Sequence, residues 1–407
     1  MNKLFYMGLE PYEGRYTLQL QDWNERVFKK RSLEYVIVPG ETLDNSKAIV
    51  TGQVLDAHGR SYFAMSQMMS LVKMMREGQV DNDSVIFFED MFQPGIESLP
   101  YIMNQIPNEL RPRVYVRCLA QTIDPDDFVH VWGMYDWMSK YEQMVSEFVD
   151  GVLCASEEMV AHIKIAGWRT ETFVTGLPYG KEEVSLRTGA RPYFMREREN
   201  RIVFAARWDQ EKQPNFYMDL AERWSTEKGL YSEEAEPPEL PEFAICCGGP
   251  LRSNDPKLLQ RAKELEKVGI IKIYDNLKKD EYYDILANSK VLFNCALQDW
   301  VSNTVSEADT LGAMTLFPAY RSFPEVFANN AEQMYIPWSL DDATSKLENL
   351  LSYDIPPKWV GKVSDYQNKT IDRTVDVLEL PKFAKPSSSP YWRGGNRYRN
   401  NVSVPKY

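Results

Sequence analysis

Two groups of polar residues in the second half of the chain have side chains suited to binding a polyphosphate. The first contains Arg207 and Lys212, five positions apart, between the apolar run 201–206 and a helical pattern that begins at Phe216. On a loop that joins a strand to a helix, a guanidinium and an ammonium can converge on one anion, the first as a fork and the second as a point charge. These residues predict a phosphate clamp, and a solvated charged turn is the alternative.

The second group follows another apolar run, 291–295, and consists of Asp299, Ser302, Asn303, Thr304 and Glu307. Its three central residues are good N-cap candidates for a helix that continues through Leu311, and the first N–H groups of that helix would form a phosphate site. Glu307 then falls in the first or second turn of this helix, where its carboxylate can accept hydrogen bonds from two hydroxyls of a ribose. Asp299 lies in the preceding loop. The alternative interpretation is that Asp299 is an N-capping acid and Glu307 a surface residue of the helix, because that arrangement has the same spacing.

The elements that must position these residues belong to an α/β chain. Short apolar runs rich in β-branched residues alternate with helical patterns, as in parallel sheets covered by helices on both faces. Strands are predicted in two series, at 3–7, 35–38, 84–89, 114–117, 151–155 and 171–175, and at 201–206, 242–247, 270–274, 291–295 and 314–317. We therefore expect a first domain at 1–180, a linker at 181–200, a second domain at 201–360 and a separate segment at 361–407.

Composition limits the class of protein. The 407 residues carry a formal net charge of −12, with 43% hydrophobic and 26% charged side chains, which excludes a disordered chain or a disulfide scaffold. No apolar run approaches the roughly 20 residues of a membrane span, and the N-terminus lacks the apolar core of a secretory signal. The five cysteines and three histidines show no metal-binding or redox spacing, so we expect no metal and a reducing, cytoplasmic location, in the host cell if the chain is viral.

Four residues of the first domain are further candidates for ligand contacts. Gly14 lies between the first strand and the first helical pattern, where a glycine lets backbone approach a ligand. His58 is placed on a glycine-containing loop that could face an acceptor, although a surface histidine is the alternative. Asp90 and Asp124 follow predicted strands, at the edge where open α/β sheets bind ligands, and either could orient an acceptor hydroxyl.

The two polar groups, together with residues 245–250 and the helical pattern 282–290, resemble the nucleotide-binding half of retaining GT-B-type glycosyltransferases. Those enzymes have an Arg-x4-Lys clamp and a Glu-x7-Glu motif. The resemblance implies two Rossmann-like domains facing across a cleft, with the acceptor on the first and a nucleotide sugar on the second. It implies Arg207 and Lys212 on the donor diphosphate, Asp299 on the transferred sugar and Glu307 on the ribose.

The same resemblance implies further donor contacts and one departure. Helix amides near Ser302, Asn303 and Thr304 would extend the phosphate site, and backbone near Gly249, Tyr274 and Leu277 would contact the nucleotide, with no metal required. The first acid of the motif is Asp299 instead of Glu, and Trp300 replaces a small residue. Because of this departure, a pentose such as arabinose or a differently oriented hexose is an alternative to glucose as the transferred sugar. We expect UDP as its carrier.

The acceptor is predicted from the end of the chain. Residues 382–407 contain basic and aromatic side chains and no acid, and Trp392, Arg393, Arg397 and Arg399 are candidates for phosphate neutralisation and base stacking on DNA. Residues 8–23 also resemble the start of the DNA α-glucosyltransferase of T-even phages. Together these favour hydroxymethylated bases of phage DNA as the acceptor. The alternatives are a bacterial glycosyltransferase for a surface polysaccharide, lipid-linked or small-molecule acceptor, and an inactive GT-B-type module that binds nucleic acid or a nucleotide sugar.

Overall fold

The structure, a computed structural model, describes residues 3–11, 16–44, 50–51, 55–119, 122–189, 191–230, 240–253, 255–297, 299–327 and 330–379. The described residues divide into two units, and the chain passes from one to the other between Leu177 and Pro178 and returns between Thr370 and Ile371.

The first unit is built on a six-stranded parallel sheet. In chain order its strands are β1 (Leu4–Met7), β2 (Tyr35–Ile37), a small antiparallel pair β3 (Val50–Thr51) and β4 (Leu55–Asp56) outside the sheet, then β5 (Val85–Phe88), β6 (Arg113–Arg117), β7 (Gly151–Cys154) and β8 (Thr172–Val174). The sheet order is β2-β1-β5-β6-β7-β8. Strands β1 and β5 are buried along their whole length, as expected for a sheet covered on both faces.

Six helices of this unit connect or flank these strands. They are α1 (Tyr16–Lys30), α2 (Ala57–Arg76), α3 (Leu99–Met103), α4 (Phe128–Val131), α5 (Tyr135–Phe148) and α6 (Glu157–Ile165). Helix α6 begins at a side-chain cap, because the Ser156 hydroxyl accepts a hydrogen bond from the Met159 N–H at 3.2 Å.

The second unit has its own six-stranded parallel sheet. Its strands are β9 (Glu199–Phe204), β10 (Glu242–Cys246), β11 (Ile271–Tyr274), β12 (Ser289–Phe293), β13 (Met314–Pro318) and β14 (Met334–Tyr335), in the order β11-β10-β9-β12-β13-β14. The helices are α7 (Lys181–Leu186), α8 (Pro214–Leu230), α9 (Pro256–Lys267), α10 (Lys279–Asn288), α11 (Asn303–Thr310), α12 (Phe323–Val326), α13 (Leu340–Leu351) and α14 (Asp365–Asn368). This strand order is that of a Rossmann-like domain.

The last described helix, α15 (Thr370–Leu378), belongs to the first unit from Ile371 onward. Val375 and Leu378 join the core formed by Leu4, Phe87 and Leu153. The helix is also tied to that unit by polar contacts, since Arg117 Nη2 donates to Thr374 Oγ1 at 2.9 Å. The described chain leaves the first unit after β8 and returns to pack against it in α15.

Both sheets have a point where the strand order reverses. In the first unit it lies between β1 and β5, and in the second between β9 and β12, because successive strands are added on opposite sides of β1 and of β9. Open α/β sheets bind ligands outside the carboxyl ends of the strands at such a point. The loops that follow β1, β5, β9 and β12 are therefore where function is expected.

The α/β fold class and each predicted strand are confirmed, with ends displaced by at most two residues. The sequence missed β3, β4 and β14, which are two residues long. The predicted linker 181–200 contains α7 and the start of β9, and its described residues belong to the second unit. The loop predicted around His58 is wrong, because α2 begins at Ala57 and includes Gly59 in its first turn.

Within the described residues, no helix is long and apolar enough to span a membrane.

Candidate functional site

The loops after β9 and β12 meet at the switch point of the second sheet. The first loop ends in a single 3₁₀ turn, Gln210–Lys212, which a left-handed Gln213 with φ 50° terminates. The backbone N–H of Leu297 donates to the Glu211 carbonyl at 2.7 Å. The two predicted polar groups are therefore joined through their backbones.

Lys212 and Asp299 form an ion pair across this junction. Lys212 Nζ lies 2.9 Å from Asp299 Oδ1, although 87 positions separate the residues. The lysine side chain is 8% exposed and the aspartate 25%. Since an ammonium taken out of water needs a compensating charge, the carboxylate stabilises this conformation. The predicted clamp lysine and the predicted sugar-binding acid are thus in direct contact.

Arg207 is the more accessible cation of the predicted clamp. Its guanidinium pairs with Asp209 and with Glu211, both at 3.0 Å, and its side chain is 40% exposed. Burial raises the pKa of Glu211 above its usual value, against the opposing effect of Lys212 and Arg207. Arg207 is therefore held by two acids of its own loop and stays open to solvent, whereas Lys212 is held by Asp299 of the other loop.

Helix α11 begins where the sequence predicts, with Ser302 at its N-cap. Within the described structure the Ser302 hydroxyl makes no capping bond. It accepts from Asn294 Nδ2 at 3.0 Å and lies 3.1 Å from Thr304 Oγ1. Asn303 Oδ1 accepts from Gln367 Nε2 at 3.1 Å. Asn294 and Gln367 therefore hold the first residues of this helix, and its N-cap side chain does not use the first backbone N–H groups. Such N–H groups can bind an anion.

Glu307 lies in the second turn of α11 and is 4% exposed. Its Oε1 accepts from Lys279 Nζ at 2.7 Å and from the Tyr283 hydroxyl at 3.0 Å. Both partners belong to α10, and sequence reasoning missed them. A helical period puts Lys279 and Tyr283 on one face of α10, but only the packing of α10 on α11 shows which residue they meet.

The predicted nucleotide contacts lie on the neighbouring strands. The Tyr274 carbonyl accepts from the Cys247 N–H at 2.9 Å, and the Leu277 N–H donates to the Cys247 carbonyl at 3.1 Å. Gly249 faces open space, since a Cβ there would meet no atom within 4 Å among the described residues. The ring of Tyr274 lies among charged side chains, and its hydroxyl donates to Glu242 Oε1 at 2.8 Å.

Trp300 is buried in the second unit. The sequence places its indole next to Asp299, the predicted sugar-binding acid, and the side chain is 3% exposed in the structure. Arg321 lies over its ring at 5.9 Å, and the Ser322 hydroxyl donates to its carbonyl at 2.6 Å. The tryptophan therefore supports the loop that carries Asp299 from within the second unit.

The first unit has a charged cluster at its own switch point. Arg60 Nη1 donates to Glu10 Oε2 at 2.9 Å, and Arg60 Nη2 donates to Asp90 Oδ2 at 2.5 Å and to the Phe92 carbonyl at 3.0 Å. Glu10 follows β1 and Asp90 follows β5, so the carboxyl-end rule predicts that they meet. Asp90 is thus part of a buried ion-pair cluster, whose Glu10 and Arg60 the sequence analysis did not identify. His58 is exposed in the same helix turn as Arg60.

Asp124 lies in the loop after β6 and is 1% exposed. Its Oδ1 accepts a hydrogen bond from the Asp126 N–H at 3.0 Å. The predicted acceptor candidate is therefore a buried residue that orders its own loop.

Three side chains from the surrounding helices hold this loop. Glu142 accepts hydrogen bonds from the Thr122 N–H at 3.0 Å and from the Thr122 hydroxyl. His130 Nε2 lies 3.1 Å from the Thr122 carbonyl and His162 Nδ1 lies 2.9 Å from the Ile123 carbonyl. Burial raises the pKa of Glu142 to about 7.

Gly14 and the DNA-binding candidates Trp392, Arg393, Arg397 and Arg399 lie outside the described residues.

Comparisons with known proteins identify the fold. No family model matches the chain, and no curated protein does. Among solved structures, the apo form of OtsA matches with a TM-score of 0.65 and 9% identity, over 94% of this chain and 100% of that one. TarM matches with a TM-score of 0.53 and 13% identity, over 77% of this chain and 59% of TarM.

A further match is an E. coli trehalose-6-phosphate protein solved with UDP-2-fluoro glucose bound. Its TM-score is 0.59 with 10% identity, over 93% of this chain and 95% of that one. At such identities the likeness concerns architecture. The two parallel six-stranded sheets, their strand orders and these matches together show that the chain has the GT-B fold.

Proposed function

We propose that the chain is a retaining glycosyltransferase that binds a nucleoside diphosphate sugar, UDP-linked, at the carboxyl edge of the second sheet. Arg207 and Lys212 bind the diphosphate, α11 amides near Asn303 add to that site, and Glu307 binds the ribose. Asp299 contacts hydroxyls of the transferred sugar. A GT-B neighbour solved with UDP-2-fluoro glucose supports this class of donor.

The observation that carries the proposal is the contact between Lys212 and Asp299. Two loops far apart in sequence bring Lys212, which we propose for the leaving diphosphate, to 2.9 Å from Asp299, which we propose for the sugar. The bond that breaks in glycosyl transfer joins those two parts of the donor. The pair therefore lies where both sides of the reacting bond would be recognised.

In this proposal, catalysis comes from electrostatics and positioning. Negative charge grows on the leaving diphosphate, and the two cations stabilise it more in the transition state than in the ground state. No metal is needed for this step. Retention of configuration follows from attack on the donor face that carries the diphosphate, which then accepts the proton of the incoming hydroxyl.

The acceptor part of the proposal is a hydroxymethylated base in phage DNA, with glucose or a pentose such as arabinose as the transferred sugar and the cytoplasm as the location. The basic and aromatic composition of residues 382–407 supports DNA. The acceptor hydroxyl is assigned to the first unit, at the cluster that contains Asp90 or at the loop that contains Asp124.

In the test, the purified chain is incubated with a panel of nucleotide sugars. One set of reactions contains hydroxymethylcytosine-containing DNA, and a second set contains a pool of glycan and small-molecule acceptors. Nucleotide release and product mass are measured. A mass increase of one hexose or pentose on the nucleoside supports the full proposal. Transfer only to a glycan or small molecule overturns the DNA part, and binding without sugar release overturns the enzyme.

Two variants test the site within the same assay. Glu307→Ala and Lys212→Ala are each expected to slow transfer by roughly 30-fold to 900-fold while the chain stays folded. Losing a charge-assisted hydrogen bond to the donor costs roughly 2–4 kcal/mol of transition-state stabilisation. Near-normal turnover in both would contradict the site.

A further inference from the structure

Lys279 is a preorganised hydrogen-bond donor next to the carboxylate proposed for the ribose. Its Nζ lies 2.7 Å from Glu307 Oε1 and 5.0 and 4.8 Å from the ring centroids of Tyr282 and Tyr283. A carboxylate and two aromatic faces therefore fix the ammonium in one place. An ammonium has three N–H donors, and the contact with Glu307 uses one of them.

The exposure of the pair shows which member a ligand would reach first. The Lys279 side chain is 33% exposed, whereas that of Glu307 is 5% exposed. Glu307 Oε1 already accepts two hydrogen bonds, from Lys279 and Tyr283. A ligand hydroxyl that approaches Glu307 from solvent therefore also meets the ammonium.

The backbone around Lys279 connects it to the rest of the proposed nucleotide site. Lys279 is the first residue of α10 and follows the loop after β11. In that loop the Asn276 N–H donates to the Gly249 carbonyl at 3.0 Å, and the Leu277 N–H donates to the Cys247 carbonyl at 3.1 Å. The loop that carries Lys279 is thus fixed to the glycine turn that faces open space.

We propose that Lys279 is a specificity-determining residue that donates a hydrogen bond to a ribose hydroxyl of the donor, beside Glu307. This inference rests on the proposed function of the second unit. A hydroxyl both donates and accepts, so one ribose hydroxyl satisfies the carboxylate and the ammonium together. A deoxyribose lacks that hydroxyl and leaves the ammonium without its ligand partner. The site therefore selects ribonucleoside diphosphate sugars over their deoxy counterparts.

The test is a binding titration of UDP, 2′-deoxy-UDP and 3′-deoxy-UDP to the whole chain. Wild type is expected to bind at least one deoxy analogue roughly tenfold or more weakly than UDP, because a hydrogen bond to a charged group is lost. Lys279→Met, which keeps the length and loses the ammonium, is expected to bind UDP more weakly and to remove most of that preference. Lys279→Arg, which keeps a donor, is expected to retain it.

Lys278→Met is the matched control, because it removes the same charge from an exposed neighbouring lysine. It is expected to leave both the UDP affinity and the preference unchanged. Melting temperatures of all variants show whether a change in binding reflects loss of the fold.

Three results overturn the inference. If Lys279→Met weakens UDP and both analogues by the same factor, Lys279 only supports Glu307. If wild type binds UDP and both analogues with equal affinity, the ribose hydroxyls do not contribute to binding at this site. The inference then fails, while UDP remains the proposed donor nucleotide. If wild type binds no UDP at all, the proposed UDP donor fails, and this inference fails with it.

Discussion

At the scale of single residues, the candidate donor site is a set of charges that are already paired. Lys212 is nearly buried and lies 2.9 Å from Asp299. Lys279 in the same way pairs with Glu307. Each pair keeps an otherwise costly buried charge compensated when no ligand is bound. A diphosphate or a ribose would then extend an existing network, with little rearrangement of the side chains.

The position of Asp299 gives a prediction about the choice of sugar. Asp299→Glu lengthens the side chain by one methylene and is expected to change the ranking of nucleotide sugars more than the affinity for the free nucleoside diphosphate. Selectivity arises from differential contacts in the transition state. The measurement is kcat/KM across the sugar panel together with the Kd for UDP.

Asp284→Glu serves as the control, because Asp284 is exposed on α10 of the same unit. An unchanged sugar ranking in Asp299→Glu would assign sugar selection to other residues. Trp300 is left intact in this experiment, because removing a buried indole would open a cavity and cost about 3–5 kcal/mol of stability.

At the scale of elements, short apolar runs that alternate with helical patterns were enough to predict both sheets. The strands of such sheets are buried on both faces, as in β5 with Val85 to Phe88, so their signal is local and strong. The sequence also predicted the start of α11, from Ser302 to Thr304. It did not predict β14, because two residues give too short a signal.

The contacts that sequence could not predict depend on packing between elements. Arg60 meets Glu10 and Asp90 because α2 begins at Ala57, whereas Gly59 suggested a loop. Lys279 meets Glu307 only because α10 packs on α11. Such partners come from separate segments, and no local spacing identifies them.

Glu142 gives a prediction about the loop after β6. Burial raises the pKa of this carboxyl to about 7, from 4.5. The folded state therefore binds this proton more tightly than the unfolded chain does. The contribution of Glu142 to stability is greatest below about pH 4.5 and is lost as the pH rises through 7. Glu142→Gln can keep two hydrogen bonds to Thr122 without titrating, since an amide both donates and accepts.

Thermal unfolding between pH 5 and pH 8 checks this expectation. Wild type is expected to lose stability over that range, and Glu142→Gln to lose less, by an amount on the order of 1–3 kcal/mol at pH 8. Burial also raises the pKa of Asp309, in the second unit, to about 6. Its loss of stability with rising pH is expected to be the same in wild type and in Glu142→Gln. Parallel curves for the two proteins would show that Glu142 does not titrate in this range.

At the scale of the whole molecule, the same topological rule applies twice. Each sheet reverses its strand order once, and in each unit a charged cluster lies at that point: Glu10, Arg60 and Asp90 in the first, Lys212 and Asp299 in the second. The return of α15 to the first unit places the end of the described chain, Glu379, on that unit, where its carboxylate pairs with Arg31 at 2.7 Å.

The final segment of the chain gives a prediction about DNA. Net charge is −12, so DNA binding needs a local excess of positive charge, which residues 382–407 supply. A chain that ends at residue 390 is expected to keep its melting temperature and its donor hydrolysis, and to lose a salt-dependent part of its DNA affinity. Each phosphate contact contributes nearly one unit to the slope of log K against log salt.

A truncated chain with a lower melting temperature and impaired donor hydrolysis would show that the segment packs on the folded protein. Unaltered stability and unaltered DNA affinity would count against both interpretations.

The most direct test of the donor site is a calorimetric titration of the whole chain with UDP, GDP, ADP, CDP and dTDP. We expect saturable binding of at least one of these, with a single site per chain. Lys212→Met should weaken it by roughly 30-fold or more, because a charge-assisted contact worth about 2 kcal/mol or more is lost. Lys263→Met, which removes an exposed lysine from α9 of the same unit, should leave it unchanged. No binding of any diphosphate, or equal affinity in wild type and Lys212→Met, would contradict the account.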